Sequence, residues 1–538
     1  MDEKRNWIGA LLSQRQVIPR WHSPQSALHA GERDSIRSNL RPRILPRRWL
    51  PLLSEQVQRG DIHADVEIAE LQFLLSESPL DVTAPVPPRI SALWHRAAEQ
   101  LNARPPPRPT SLDGDWIAIE RANVAQLRAA LVRYPQQPLM WSELARAYIV
   151  LGHDDKARRA MACAVQLAGR NAYVRRSAAR MHLHLNDVAG ALRAVRQHPN
   201  FLGDPRMLSA EIAIAARAGQ PLHHAKRGLQ MLKDTNFRPT YLSELAAALA
   251  TVEMQAGKHK RSRALFAHSL QSPSENALAQ VQWASEWDST IVVPTDAWDV
   301  PRSFEAHALA ARLGGDWDAV LDDCELWLQD EPFATRPAIL GSFATYTDKQ
   351  SIRAERLATQ ALAANRNSVP LHNNRAVARA YMGDITGALQ DIKYSLGCDG
   401  KNVPYLLATI GLIGYRSGDQ ELGEHGYHAA LAQFVKDKDM PSATLASLFW
   451  LRELARLGDP NVATELTYIK RNLQRLTGTS PEPEITSMIT SLEAQLAQCT
   501  LALAPPESRV AEEARDLFQR FEPLRDAENW RGRFIEKI

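Results

Sequence analysis

Cysteines and long apolar runs are scarce in the sequence, and each scarcity excludes a class of protein. The 538 residues include four cysteines, Cys163, Cys324, Cys398 and Cys499, which lie far apart and form no Cys-x-x-Cys pair. This spacing favours buried thiols in a reducing compartment over a disulfide framework or a zinc site. No apolar run approaches the roughly 18 residues that a membrane-spanning helix needs. The first residues include acids and no small-residue cleavage site, so we expect no signal peptide and a cytoplasmic protein.

Signatures of enzymes are also missing. The sequence has no P-loop, no glycine-rich dinucleotide-binding turn after a strand, no His-Glu-x-x-His pattern and no Gly-x-Ser-x-Gly pattern. Two histidine pairs, His223 with His224 and His425 with His428, have no obvious third metal ligand. We therefore expect a protein that is not an enzyme, with no catalytic residues, no cofactor and no metal site.

The composition is that of an ordinary globular protein. Hydrophobic residues make up 45% of the chain and charged residues 23%, and the net charge is +3. Because this charge is small for the length, any electrostatic function must come from local clusters of charge. A chain of this length exceeds what one hydrophobic core can hold, which predicts several domains or an extended array.

Turn residues recur along the chain in comparable contexts. Glycine or asparagine is favoured where a helix ends and the backbone needs a positive φ. Several of the turn residues are about 34 residues apart. Between Gly315 and Gly383, this spacing predicts a further turn at Lys349. The predicted helix-to-helix turns are Gly152, Asn186, Gly219, Gly257, Gly315, Gly383, Gly418 and Gly458.

Small residues occur in pairs twelve positions apart around these turns. Two small side chains that face each other allow two antiparallel helices to approach closely, while larger neighbours fill the space between repeats. The spacing therefore predicts a row of tight helical hairpins. The pairs are Ala145 with Ala157, Ala179 with Ala191, Ser342 with Ala354, Ala376 with Ala388, and Gly411 with Gly423.

The stretch "LMWSELARAYIVLGHDDKARRAMACAVQLAG" shows the full pattern. Its Trp141, Leu144, Ala145, Tyr148 and Gly152 follow the order of the tetratricopeptide repeat, with Ala157, Met161 and Ala164 after the turn. The chain resembles that family over about residues 104–477. The resemblance implies an all-α solenoid of helical hairpins whose concave surface binds other proteins.

The repeat register divides the chain into five parts. Residues 1–103 are a basic, proline-punctuated N-terminal extension that we expect to be helical. Residues 104–275 form a first repeat block and 301–477 a second, with an irregular connection at 276–300. Residues 478–538 are expected to form a C-terminal capping helix and tail, since a solenoid otherwise exposes an apolar end.

The resemblance also places particular side chains on the concave surface. The first block presents mainly arginines there, whereas the second presents aromatic and amide groups. Such a groove suits a protein or peptide partner with acidic residues. The alternative interpretation is that these side chains are only solvated residues of the inner face. The candidate partner-binding residues are Arg146, Arg176, Arg180, Arg217, Arg336, Phe343, Tyr346, Asn373, Asn374, Tyr381 and Tyr415.

Asn374 stands where chaperone-binding repeats hold the terminal carboxylate of a peptide. The neighbouring repeats depart from that clamp, because Ile339, Phe343, Tyr405 and Thr409 replace its basic and amide residues. The sequence therefore argues against a chaperone clamp.

The predicted function is that of a scaffold, adaptor or regulatory subunit that binds a partner protein in its groove. An alternative is a regulator that senses nucleic acid or nucleotide through arginine-rich surfaces, because arginines can contact phosphates. The N-terminal cluster Arg41, Arg43, Arg47 and Arg48 is the sharpest case for that alternative.

Overall fold

Helical hairpins make up the fold of the chain. A computed structural model describes residues 15–22, 116–133, 135, 138–234, 237, 239–344, 350–397, 403–476, 482–498 and 515. These residues contain 21 α-helices and no strand. The all-α prediction is confirmed.

The chain divides into two compact units. The first unit is Arg15–Ala306, and the described residues of the second all fall within His307–Ile538. The helices of the first unit are α1 (Trp116–Arg133), α2 (Pro138–Val150), α3 (Asp154–Leu167), α4 (Ala172–His184), α5 (Val188–Arg196), α6 (Pro205–Arg217), α7 (Ala225–Met231), α8 (Pro239–Gln255), α9 (His259–Ser269) and α10 (Glu275–Ser285).

The second unit contains the remaining helices, except that the first three residues of α11 belong to the first unit. These helices are α11 (Phe304–Gly314), α12 (Trp317–Asp330), α13 (Thr335–Phe343), α14 (Ser351–Ala364), α15 (Val369–Met382), α16 (Ile385–Leu396), α17 (Val403–Ser417), α18 (Gln420–Lys436), α19 (Met440–Leu457), α20 (Val462–Leu476) and α21 (Pro483–Gln498).

Each unit stacks its hairpins in the manner of a solenoid. In the first unit α2, α4, α6, α8 and α10 contact one another in succession, and α3, α5, α7 and α9 each pack against the helix before them. In the second unit α13, α15, α17 and α19 form the equivalent row, paired with α14, α16, α18 and α20. The first helices of the hairpins are therefore the inner row, whose exposed side defines the concave surface.

A short local code sets the turn of many hairpins. All eight predicted turn residues have positive φ, from 56° at Asn186 to 85° at Gly418, so the turn prediction is confirmed. An aspartate often follows the turn residue and caps the next helix, as Asp384 accepts a hydrogen bond from the Gly387 backbone N–H. Such a cap stabilises a helix start by about 1 kcal/mol. Asp187, Asp316, Asp419 and Asp439 act in the same way.

The small residues predicted to face each other lie in the core. Ala376 and Ala388 are fully buried. The closest approach is between α17 and α18, where a Cβ added to Gly414 would lie 2.5 Å from the backbone nitrogen of Gly423. These helices therefore touch backbone to backbone, which only glycine permits.

Two segments differ in detail from the sequence-based expectation. The predicted irregular connection at 276–300 begins inside α10, and only its later part is irregular, with one turn of 3-10 helix at Thr295–Trp298. This part is anchored by apolar packing, because Val293 and Trp298 pack against a buried cluster that includes Leu278. Within 1–103, the described residues 15–22 are not helical. The remainder of that extension, with its arginine cluster, lies outside the described residues.

Candidate functional site

The predicted arginines of the first unit are largely engaged with acids of the chain. Arg146 is buried, and its Nε and Nη2 donate to the Glu143 carboxylate at 3.2 and 2.5 Å. Burial disfavours the charge on Arg146, but Glu143 outweighs it and raises the pKa. Arg176 Nη2 donates to Glu244 Oε2 at 2.7 Å. Both arginines therefore have much of their charge balanced within the fold.

The other two arginines predicted for this surface are less enclosed. Arg180 is partly buried and lies one turn after Arg176 on α4. Arg217 is exposed at the C-terminal end of α6. The four arginines thus differ in exposure and do not form one uniform basic stripe.

The concave side of the first unit holds a segment of the chain itself. We call residues 15–22, Arg-Gln-Val-Ile-Pro-Arg-Trp-His, the N-terminal strap. Arg15 donates from Nε and Nη2 to the two oxygens of Glu305 at 2.9 and 2.7 Å, and from Nη1 to Gln280 Oε1 at 2.6 Å. Its Nη2 also donates to Asn276 Oδ1 at 3.0 Å. The Arg15 side chain therefore donates to amide oxygens of α10 and to a carboxylate of α11.

Main-chain carbonyls of the strap are also held by side chains of the unit. Gln280 Nε2 donates to the Arg15 carbonyl at 3.0 Å, and Asn276 Nδ2 donates to the Ile18 carbonyl at 2.9 Å. Tyr173 Oη on α4 donates to the His22 carbonyl at 2.8 Å. These donors hold the strap backbone in place, and within the strap the Ile18 N–H donates to the Gln16 carbonyl at 2.7 Å.

Apolar residues of the strap pack against the core of the unit. Val17 and Trp21 are fully buried, and Val17 belongs to a core cluster with Leu208, Leu245 and Ala277. These contacts bridge the inner helices α6, α8 and α10. A strap that buries such groups is tightly packed rather than loosely draped over the surface.

Acidic residues surround the far part of the strap. Arg20 pairs with Glu305, and His22 Nε2 lies 3.0 Å from Glu275 Oε1. Burial disfavours the charged form of the Glu275 carboxylate, but the hydrogen bond and charge of His22, with Arg20 and Arg302, outweigh it and lower the pKa from 4.5 to about 2. The floor of this surface is thus acidic where it meets the strap.

The second unit has a cavity of about 80 Å³ on its inner row of helices. The volume is large enough for several water molecules or an apolar side chain. Three predicted residues, Phe343, Asn373 and Asn374, come together in its wall. The other lining residues are Ser342, Val377, Tyr405, Ala408, Thr409, Leu412, Tyr427, Phe434, Ser442, Leu445, Ala446 and Phe449.

The two asparagines of this cavity differ in what they bond. Asn374 Nδ2 donates to the Ile339 carbonyl at 3.1 Å and to Ser342 Oγ at 2.9 Å, so its amide joins α15 to α13. Asn373 Oδ1 accepts from Thr409 Oγ1 at 2.8 Å. The Asn373 amide also lines the cavity, so its Nδ2 is the donor nearest at hand for a ligand there.

Tyr381 and Tyr415 are buried in the same unit rather than presented to solvent. The guanidinium carbons of Arg416 and Arg452 lie 4.6 and 4.5 Å from the Tyr381 ring centroid, a cation–π arrangement. Tyr415 Oη accepts from Trp450 Nε1 at 2.8 Å. These two tyrosines therefore pack inside the second unit and do not line its cavity. Arg336 is partly buried near the start of α13, and Tyr346 lies outside the described residues.

Sequence reasoning missed Phe434 and Phe449 as cavity residues. Phe434 is on the outer helix α18 and reaches the cavity near the end of that helix, while Phe449 is on α19. The only available signal was that Phe449 lies on the first helix of its hairpin, where inner residues are found.

Helix α21 connects distant parts of the second unit. Near its start, Glu484 accepts from Arg312 Nε at 2.6 Å and Ser487 Oγ accepts from Trp317 Nε1 at 2.7 Å. Near its end, Gln495 Nε2 donates to the Arg452 carbonyl at 3.2 Å. The predicted capping helix therefore packs on α19 and also reaches back to α11 and α12.

Two further properties bear on the chemistry. Within the described part of the chain, no three His, Cys, Asp or Glu side chains are arranged to hold a metal ion. Nor is any helix in that part long and apolar enough to cross a bilayer.

Together, the hairpin stacking, the positive-φ turns and the buried small residues define a tetratricopeptide-like helical solenoid. No family model matches the chain, and no curated protein matches it. Among solved structures, yeast Tom70 aligns with 84% of this chain and 96% of its own, at 12% identity and a TM-score of 0.29. At that score the alignment supports no inference about function.

Proposed function

We propose that the protein is a non-enzymatic interaction scaffold that binds a partner protein through the cavity of the second unit. The observation that carries this proposal is the cavity itself, which has aromatic walls and the Asn373 amide in its lining, held there by the Thr409 hydroxyl. A ligand carbonyl that accepts from Asn373 Nδ2 would add a hydrogen bond worth about 0.5–1.5 kcal/mol.

The walls favour a ligand with an apolar anchor. Phe343, Tyr405, Phe434 and Phe449 line the cavity, and pockets lined by aromatic groups with few polar atoms typically anchor one apolar side chain. A main-chain carbonyl beside that anchor would accept from Asn373 Nδ2. We therefore propose an extended peptide with a small apolar or aromatic anchor as the feature that this cavity binds.

The sequence-based expectation of an acidic partner has less support in the first unit. Arg146 and Arg176 already pair with Glu143 and Glu244, so an acidic ligand would have to compete with these carboxylates. The cytoplasm stays the proposed compartment, on the ground given by the sequence, since its four cysteines lie far apart and form no Cys-x-x-Cys pair.

Peptide display against the full-length chain tests the proposal. Selected peptides should share an apolar anchor, and titration of the best peptide should give a dissociation constant in the micromolar range or tighter. Phe449→Ala should raise the dissociation constant of that peptide at least about tenfold. The apolar anchor of the peptide loses its contact with the Phe449 ring, which costs about 1–3 kcal/mol of binding free energy. Asn373→Leu should also weaken it by removing the amide donor.

Tyr394→Ala is the matched control, because Tyr394 is an aromatic residue of the same unit that is 43% exposed on the outer helix α16. This variant should bind the peptide as the wild type does. Equal binding by all four proteins, with unchanged thermal unfolding, would show that the cavity is not the site.

A further inference from the structure

The N-terminal strap is held in the way that a protein holds a separate peptide. Its partners lie far along the chain, from Tyr173 to Glu305, and none of its eight residues belongs to a helix or strand. Groove side chains donate to three strap carbonyls, so the groove holds the backbone of the strap as well as its side chains. Recognition of this kind needs no covalent link between ligand and groove.

The groove contacts particular side chains at both ends of the strap and at its centre, and these contacts select the residue types that it binds. Arg15 forms a two-bond ion pair with Glu305, and this fork geometry favours arginine over lysine. Val17 enters the apolar cluster at the centre. Trp21 is fully buried at the far end, next to His22 on Glu275. Each position therefore requires a particular kind of side chain.

The groove matches the strap in charge. Two acids, Glu305 and Glu275, meet three basic side chains of the strap. The amide oxygens of Asn276 and Gln280 also accept from Arg15. A ligand of opposite charge would place its carboxylates against Glu305 in a site where both partners are almost completely buried. Such a ligand is excluded by repulsion.

We propose that the concave surface of the first unit is a recognition site for basic, aromatic peptides, with the strap as its resident ligand. A partner protein that presents Arg, a β-branched residue two positions later and an Arg-Trp-His group after that binds there by displacing the strap. This inference goes beyond the proposed function, because it concerns another unit and the opposite ligand charge. It stands whether or not the second-unit cavity binds a partner.

Fragment exchange in the full chain tests the proposal. A specific protease site is inserted in the proline-rich stretch 104–111. Cleavage there breaks the covalent link between the strap and the groove and leaves their non-covalent contacts in place. A fluorescent synthetic peptide of residues 11–26 is then titrated by anisotropy into the cleaved and the uncleaved protein. The cleaved protein should bind the peptide at least about tenfold more tightly at equilibrium, because a tethered competitor acts at an effective concentration near millimolar.

Peptide and groove variants test the chemistry. Peptides with Arg15→Glu or Trp21→Ala should lose at least about fiftyfold in affinity. The matched control is Ile18→Ala, because Ile18 is only partly buried and bonds through its carbonyl; it should lose less than about fivefold. In the cleaved protein, Glu305→Gln should weaken the unaltered peptide at least about tenfold.

Two results would overturn the proposal. One is binding that ignores Arg15, Trp21 and Glu305, which would mean that the peptide adheres elsewhere. The other is a cleaved protein that loses its helical circular dichroism when the N-terminal fragment departs and does not regain it at saturating peptide. The strap would then be an inseparable part of the core and not a ligand.

Discussion

Gly414 offers a sharp test of how closely the second-unit helices pack. The substitution Gly414→Ala adds a Cβ that would lie 2.5 Å from the Gly423 nitrogen, 2.9 Å from its Cα and 3.0 Å from the Leu422 carbonyl carbon. All three atoms are backbone, so no side-chain rotation relieves the overlap. Helices α17 and α18 must separate, which disturbs a hairpin whose helices touch backbone to backbone.

The magnitude follows from two opposing effects. Overpacking of a core costs about 1–3 kcal/mol, and a backbone obstacle places this site at the upper end. Alanine in place of helical glycine returns about 0.5–1 kcal/mol. We therefore expect Gly414→Ala to lower the free energy of unfolding by about 2 kcal/mol.

Gly314→Ala is the matched control, because Gly314 is also helical and its added Cβ would meet no atom within 4 Å. This variant should be as stable as the wild type, or more stable by up to about 1 kcal/mol. Urea unfolding followed by circular dichroism measures both changes, and hydrogen exchange should show loosening in α17 and α18 for Gly414→Ala. If the two variants were equally stable, the backbone contact between these helices would be wrong.

Three other changes test separate contacts. Ala388→Leu should destabilise the second unit by about 1–3 kcal/mol in urea unfolding, since its site is fully buried; unchanged stability would contradict the hairpin packing. Arg312→Leu should cost about 3–5 kcal/mol in the same assay by leaving Glu484 buried without its partner. Replacing both residues by leucine should cost much less, and equal losses would argue against the pair. Because the pKa of Glu275 is lowered from 4.5 to about 2, its stabilisation is complete above about pH 4.5 and is lost as the pH falls towards 2. Glu275→Gln should thus lose up to about 3 kcal/mol at pH 7, a deficit that shrinks between pH 5 and 3; a deficit independent of pH would refute the assignment.

The hairpin architecture was predictable because its causes are local. A glycine such as Gly383 followed by Asp384 encodes a positive-φ turn and a helix cap within two residues. The small pair Ala376 and Ala388 encodes the close approach of the two flanking helices. Each signal repeats along the chain, so several copies support the same inference.

The site was predicted only in part, because its contacts depend on how the repeats stack. The pairing of Arg176 with Glu244 joins residues 68 positions apart. The repeat pattern marks turns and buried small residues, but it does not indicate which carboxylate a given arginine will contact. Adjacent asparagines show the same limit. Asn373 and Asn374 differ by about 100° around the helix, so Asn373 meets Thr409 on α17 whereas the Asn374 amide joins α15 to α13.

The N-terminal strap could not be found from the repeat pattern at all. It occurs once, has no helical periodicity and contacts residues such as Glu305 at a separation of 290 positions. Its arginines and tryptophan are individually ordinary. Only the folded inner surface, with acids and amides in register, shows why Arg15 and Trp21 belong there.

Site-specific photocrosslinking in living cells of the native host tests whether the second-unit cavity binds a partner protein. A photoreactive phenylalanine analogue replaces Phe449 at the second-unit cavity in one protein and Tyr394 on the outer helix in another. We expect a discrete crosslinked species of higher mass from position 449, lost when Asn373→Leu is added, and none from position 394. Crosslinking from position 394 but not from 449 would contradict that expectation.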